Sequence, residues 1–308
     1  MDYVGVEKYN RPETTTAEAP SFGQRRQLRF LFTMKTGKFG SSDNDQITIE
    51  GFRAVADITK AGGQMMGELR ARIYGVKQDD MNSITTLQWK PGYLMTNTVD
   101  VTALSGDTET LVFHGNIINA WGDYQNMPNV FLRVQARSLY DGQLTAVRPF
   151  SVRGEIDAAV VMERIAGKLG LAFENNGVSV MLTDAYLANT LIEQAQELAR
   201  MANFTLYFDD KTLAITPRYS ARAGYVPVIS PSTGMVGYPT FDGIGVNFLT
   251  LFNPSIIFGG KVKIETDLPQ AAGEFFVQTI AHRLEAEKPG GPWFSYVRAN
   301  RGNLVITH

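Results

Sequence analysis

VPVISPSTGMVGYPTF (residues 226–241), LFNPSIIFGGKVKIETDL (251–268) and FFVQTIAHRLEAEKPGGPWFSYVRA (275–299) decide the fold of this chain. Apolar runs of strand length alternate with Pro, Gly and Asn turns, the pattern of short antiparallel strands. The spacing predicts strands at 226–230, 245–252, 260–266, 274–284 and 294–299, with a further one at 303–307. Five or six strands suffice for a closed or nearly closed barrel, which removes exposed edges. No cluster of nucleophile, base or metal ligand accompanies them, so the segment reads as a builder of surfaces rather than a catalyst.

Upstream, residues 24–150 carry the same signal. RQLRFLFTM (26–34) and QITIEGF (46–52) alternate with period two, as half-buried strands do. Further strands are predicted at 53–60, 68–74, 98–104, 110–121 and 130–138, with a helix at 79–87 capped by Asp79 or Asp80. Between the two β regions, residues 151–218 change period. A helix predicted at 155–169 lines up Ala159, Met162, Ala166 and Leu169, and Gly170 stands where a left-handed stop is wanted. Asn175-Asn176-Gly177 between two apolar runs predicts a type I′ hairpin. Thr190 and Glu193 have capping-box spacing before a second stripe of Leu191, Ala195, Leu198 and Ala202, with Asn203 as its stop. A second hairpin is expected across Asp209-Asp210-Lys211.

The expected fold is therefore α+β, mainly β: two small antiparallel barrel-like domains (24–150 and 219–308) with a helix–hairpin–helix–hairpin module (151–218) between them. Residues 1–23, rich in Thr, Ala, Glu and Pro from Glu13 to Pro20, predict an extended arm. At 308 residues the chain can bury roughly 75% of its unfolded surface. With no cysteine, disulfides, thiolate metal sites and cysteine nucleophiles are excluded. No basic, apolar leader is visible, and no apolar run reaches the roughly 18 residues of a membrane-spanning segment. The net charge of −2 does not suit a polyphosphate partner, so sequence-specific nucleic-acid binding is not expected. The short basic clusters Arg25, Arg26, Arg29 and Arg70, Arg72 read as solvated or interface arginines.

Candidates for chemistry are few. Of three histidines, none has HExxH or HxH spacing; His114 lies on a strand, where a hydrogen-bonded role is expected, and His308 is terminal. Adjacent carboxylates at Asp79–Asp80 and Asp209–Asp210 belong to a helix start and a hairpin turn, with diverging side chains. A distant pair such as Asp123 and Glu155 would have to converge to roughly 5–10 Å for glycosidase chemistry. Gly62–Gly63, Gly259–Gly260 and Gly290–Gly291 match no phosphate-binding motif and read as turns. Trp89, Trp121 and Trp293 are scattered; Trp293, delivered by Pro289-Gly290-Gly291-Pro292, is either a core plug or the anchor of a subunit interface. No catalytic, cofactor-binding or metal-ligating residue is assigned, and no cofactor is expected.

Several stretches resemble baseplate hub proteins of contractile-tailed bacteriophages, which join the tail tube to the central spike. They are ISPSTGMVGYPTF (229–241), LFNPSIIFGGKVKIETDL (251–268), HRLEAEKPGGPWFS (282–295), MERIAGKLGLAFENNGVSVML (162–182) and the 191–203 helix followed by TLYFDDKTLAITP (205–217). Together they cover about half of the chain. The resemblance implies a homotrimeric ring in which two related barrel-like domains per chain present six similar faces. Such a ring docks onto a sixfold tail tube, or a tube-adapter ring, on one side and a threefold spike on the other, with the tape measure protein as a further partner in its lumen. It implies a structural virion protein of the tail baseplate, assembled in the host cytoplasm, and not an enzyme. The alternatives are a tail-associated peptidoglycan hydrolase, which the resemblance to tail proteins motivates, and a host-surface binding module.

Overall fold

The computed structural model describes residues 26–35, 44–61, 66–85, 97–125 and 127–302. The predicted arm (1–23) and last strand (303–307), with Arg25, Gly62–Gly63, Trp89 and His308, lie outside the described residues.

The first region supplies seven strands: β1 (Arg26–Thr33), β2 (Gln46–Glu50), β3 (Ala54–Ala61), β4 (Glu68–Tyr74), β5 (Thr98–Ser105), β6 (Thr108–Asp123) and β7 (Phe131–Arg137), with short helices α1 (Gln78–Ile84) and α2 (Tyr140–Leu144). Alternation decides what each strand buries. Leu28, Phe30 and Phe32 of β1 and Leu69, Ala71 and Ile73 of β4 point inward, while Arg70 and Arg72 point out. Helix α1 starts one residue before Asp79: Lys77 is the N-cap and makes no side-chain bond, so both aspartates sit in the first turn, where the helix dipole favours them.

The middle region contains β8 (Phe150–Ser151), β9 (Glu155–Asp157), α3 (Ala158–Leu169), β10 (Ala172–Asn175), β11 (Met181–Thr183), β12 (Tyr186–Leu187), α4 (Leu191–Met201), β13 (Phe204–Asp209) and β14 (Thr212–Pro217). Both helices bury the expected stripe apart from the half-buried Leu169, and Met162, Ala166, Ala195 and Leu198 are fully enclosed. Asp157 caps α3 by accepting from the Ala159 N–H at 2.8 Å, and Gly170 ends it at φ +71°. At α4 the Thr190 hydroxyl accepts from the Glu193 N–H (3.2 Å), and the Glu193 carboxylate accepts from the Thr190 N–H (3.0 Å). Asn203 follows at φ +53°. Two expectations need correcting. The 155–169 helix begins at Ala158, because Glu155–Asp157 is strand β9. The Asn175-Asn176-Gly177 turn forms, with the Asn175 carboxamide oxygen accepting from the Gly177 and Val178 N–H groups, but its flanking strands do not pair. Instead β10 runs parallel to β14, and β11 is antiparallel to β9. Turn chemistry reverses the chain; the partner of each strand is set by burial elsewhere.

The third region adds β15 (Val228–Ile229), β16 (Met235–Phe241), β17 (Gly245–Leu251), β18 (Lys261–Ile264), β19 (Gly273–Ala286) and β20 (Trp293–Asn300). Strand β16 was not expected, because Gly237 and Pro239 read as turn residues. It is the outermost strand of the sheet, where a residue lacking an N–H is tolerated.

The main sheet joins the two β regions. Its order is β16-β17-β20-β19-β3-β4-β7-β6-β5-β1-β2, with β18 also on β19 and β15 on β18. Strand β19 pairs with β3 over eight residues, from Thr279↔Ala61 to Ala286↔Ala54, so the first and third regions are halves of one sheet. No closed barrel is found among the described residues. The start of β1 does curl back to the end of β19, where the Gln27 amide donates to the Glu287 carboxylate at 2.8 Å and the Glu287 N–H reaches the Arg26 carbonyl at 3.5 Å. No strand ladder completes that closure.

Three cores result. The first fills the curl of β1–β7, and Phe252, Leu284, Ala286 and Trp293 of the third region complete it. The second lies between α3, α4 and the β10-β14-β13 sheet. The third fills the last region and includes Tyr207 and Ala214 from the middle one. Long strand β19 serves two of them: Phe275, Val277 and Ile280 face the third core, Leu284 and Ala286 the first.

Candidate functional site

The tip of the β13–β14 hairpin enters the seam where the three regions meet. Asp209 ends β13, and Asp210 takes the left-handed turn conformation at φ +51°. Their side chains do not diverge. Lys60, at the end of β3, donates to Asp209 (2.9 Å) and to Asp210 (2.5 Å). All three side chains are 11–14% exposed. Arg222, 2% exposed, donates from Nη1 to Asp209 (2.8 Å) and to the Phe258 carbonyl (2.9 Å). Its Nε and Nη2 grip Glu174 of β10 at 3.2 and 2.8 Å, a bidentate pair. One residue further on, Lys211 donates to Asp100 of β5 at 2.7 Å, and the other Asp100 oxygen bonds the His114 ring on β6.

Lys60, Asp209 and Asp210 line a cavity of about 70 Å³, walled on its apolar side by Phe252, Ile256, Ile257, Phe258 and Ile280. His282 of β19 is also on the wall, buried, with Nδ1 bonded to the Ser295 hydroxyl at 2.8 Å and its ring edge-on to Phe252. Burial, aided by the Lys60 charge, pushes its pKa down to about 3, so the imidazole stays neutral across the ordinary pH range. Burial opposes ionisation of Asp209, yet Lys60 and Arg222 hold its carboxyl well below the usual range. Asp210 is raised, first by burial and then by the Asp209 charge. Burial works against Asp100 too, but the bonds from His114 and Lys211 keep it low. Lys60 and Arg222 remain cationic despite burial, because their acids surround them.

Chemically the arrangement is a tie. Each carboxylate accepts from a cation, and each cation belongs to a different region from the acid it meets: Lys60 to the first, Asp209 and Glu174 to the middle, Arg222 to the third. Charges taken out of water are tolerable only when paired and hydrogen-bonded, so this cluster demands that the regions hold one relative position.

The other residues singled out from sequence are dispersed. His114 has the hydrogen-bonded strand role expected of it. Asp123 ends β6 and accepts from Arg133 at 3.1 Å, while Glu155 is exposed on β9 in a separate two-stranded sheet. Trp293 is 3% exposed and stacks edge-on with Phe252 inside the first core, as a core plug. Gly259 turns at φ +79° and lets Tyr207 approach, since a Cβ there would lie 2.7 Å from the ring. Arg29 bonds Glu109 in bidentate fashion and Glu50 at 2.5 Å. Sequence reasoning missed Lys60, Glu174 and Arg222. The only local hint was Arg222 between two alanines, since its partners lie 48 and 13 residues away. Among the described residues no group of His, Asp or Glu is arranged to hold a metal ion, and no helix is long and apolar enough to cross a membrane.

Comparison with known proteins gives this geometry its context. The family described as baseplate hub gp41 matches residues 28–289. No curated protein sequence matches the chain significantly. Among solved structures, the 43 kDa tail protein of prophage MuSo2 from Shewanella oneidensis superimposes with a TM-score of 0.59 at 11% identity, covering 89% of this chain and 96% of that one. The tail protein from Neisseria meningitidis MC58 gives 0.60 at 8% identity, over 90% and 97%. The E. coli c3393 protein, a component of the type VI secretion system described as structurally similar to T4 bacteriophage tail proteins gp27 and gp5, gives 0.54 at 7% identity, over 81% and 73%. At such identities these structures speak to the fold. The family match spans most of the chain, and the chain belongs to the baseplate hub family.

Proposed function

From that membership we infer that the protein is a homotrimeric ring of the phage tail baseplate, seated between the tail tube, or a tube-adapter ring, and the central spike. The observation that carries this reading is the family match across residues 28–289. The single sheet and its buried ionic tie support it physically. A part that transmits position between two partners needs its halves held rigidly, and here an eight-residue ladder and paired buried charges do so. Residues 24–150 and 219–308 are the two units proposed to present related faces, so three copies offer six, with the 151–218 module beside them and the 1–23 arm extended. Lumen contents such as the tape measure protein, placement in the virion and assembly in the host cytoplasm belong to the same reading.

The role is structural, with no catalysis, cofactor or metal, and the spike is the partner that the gp27 and gp5 comparison suggests. Electron microscopy of the purified protein, alone and mixed with its spike, tests it: a threefold ring is expected. Particles that remain single copies in both preparations refute it. Zymography on purified cell wall tests the absence of hydrolase activity. No clearing is expected, and a cleared band abolished by one Asp or Glu substitution would reverse the reading.

A further inference from the structure

The turn that follows β10 carries reactive chemistry that the ionic tie does not use. Asn176 is the one asparagine in the chain followed by glycine. Gly177 is exposed at φ +95°, and a Cβ built on it would stand in open space, so no side chain shields its backbone nitrogen. Such a nitrogen is able to attack the preceding carboxamide. It bonds to Cγ of Asn176 and gives up its proton, the Cγ–Nδ2 bond breaks, and ammonia leaves with that proton. Water then opens the cyclic imide at either carbonyl, leaving aspartate or isoaspartate. Nothing is oxidised or reduced.

The fold holds the two reacting groups apart. The Gly177 N–H donates to the Asn175 carboxamide oxygen at 3.1 Å. The half-buried Asn176 carboxamide is turned to the seam instead: its Oδ1 accepts from the Ala223 N–H at 2.7 Å, and its Nδ2 donates to the Glu174 carboxylate (2.9 Å) and to the Ile215 carbonyl (3.1 Å). Ala223 follows Arg222, whose guanidinium grips the same Glu174 and whose N–H donates to the Gly259 carbonyl at 2.9 Å. The segment joining β14 to β15 therefore clamps the amide, and Cγ reaches the Gly177 nitrogen only when these bonds open together. Conversion to an acid would put a carboxylate where Nδ2 stood, acceptor against acceptor at both Glu174 and Ile215.

We propose that Asn176 is a site of spontaneous deamidation, and that the Arg222–Ala223 segment sets its rate by clamping the carboxamide. Full-length protein held at mildly alkaline pH, then digested and mapped by mass spectrometry, is expected to gain an acid at Asn176 about tenfold or more slowly than a synthetic peptide of residues 171–180. Glu174→Gln removes the charge that Arg222 grips. With its circular dichroism spectrum unchanged, it is expected to speed conversion about threefold or more and to make Asn176 the first asparagine to convert. Should that variant fail to fold, wild-type protein in urea below its unfolding transition is expected to show the same acceleration. Asn176→Asp, the product made directly, is expected to lower Tm. Conversion as fast in the folded protein as in the peptide overturns the clamp, and so does an Asn176 rate that neither Glu174→Gln nor urea moves. Another asparagine converting ahead of Asn176 once the clamp is loosened overturns the site. A wild-type Tm for Asn176→Asp shows that the Nδ2 bonds hold nothing, and overturns the clamp as well.

Discussion

The middle module and the β3–β19 seam hold together by different means. In the module, the Thr190–Glu193 box, the Asp157 cap and the Gly170 stop act within a few residues of where they are encoded. At the seam, Lys60 reaches Asp209 and Asp210 across 149 and 150 positions, and Trp293 fills a core otherwise made by residues 28–136 and Phe252, Leu284 and Ala286. The contrast teaches where fragility lies: a local device fails locally, whereas one seam residue is shared by two or three regions.

Breaking the seam at its charges should have the largest effect. Lys60→Met leaves Asp209 and Asp210 buried with one cation fewer, and urea unfolding should show a loss of about 3–5 kcal/mol. Replacing Lys60, Asp209 and Asp210 together with apolar residues should recover most of that loss; if it does not, the tie is more than paired charge. Trp293→Ala should cost a similar about 3–5 kcal/mol by cavity formation in the first core, read from the same unfolding curves. An unchanged midpoint for that variant would move Trp293 out of the core.

The comparison sharpens with pH. His282 is neutral when folded and free to protonate when unfolded, so the unfolded state binds the extra proton as pH falls below about 6.5. Stability is therefore lost on acidification, and by pH 5 the His282 share is about 2 kcal/mol. His282→Gln should flatten that slope between pH 7 and 5, while Asp209 contributes in the same direction only at lower pH. The smallest effect belongs to the module: Thr190→Ala should cost about 1 kcal/mol by unfolding, with the seam residues undisturbed.

The residues show why one kind of feature was legible and the other was not. Strand limits such as Glu68–Tyr74 follow from alternation, and the helical stripes and caps from period and side-chain type. The Asn175 turn was legible, but the pairing of its two strands was not, because β10 and β11 find partners at Thr212–Ile215 and Glu155–Asp157. Asp209 and Asp210 were read as a turn, which they are, while their shared lysine was invisible. Strand β16 was hidden by Gly237 and Pro239, whose presence only makes sense at an edge.

By itself the amino-acid order determined the mainly β character, the helical insert with its caps, and the resemblance to baseplate hubs, because these depend on side chains a few positions apart. Only the tertiary structure decided that the two β regions join in one sheet, which core receives Trp293, and that buried charges from all three regions converge on one hairpin tip. Those outcomes depend on contacts between residues that are not sequence neighbours, and no local periodicity records which distant surface a strand or a charge will meet.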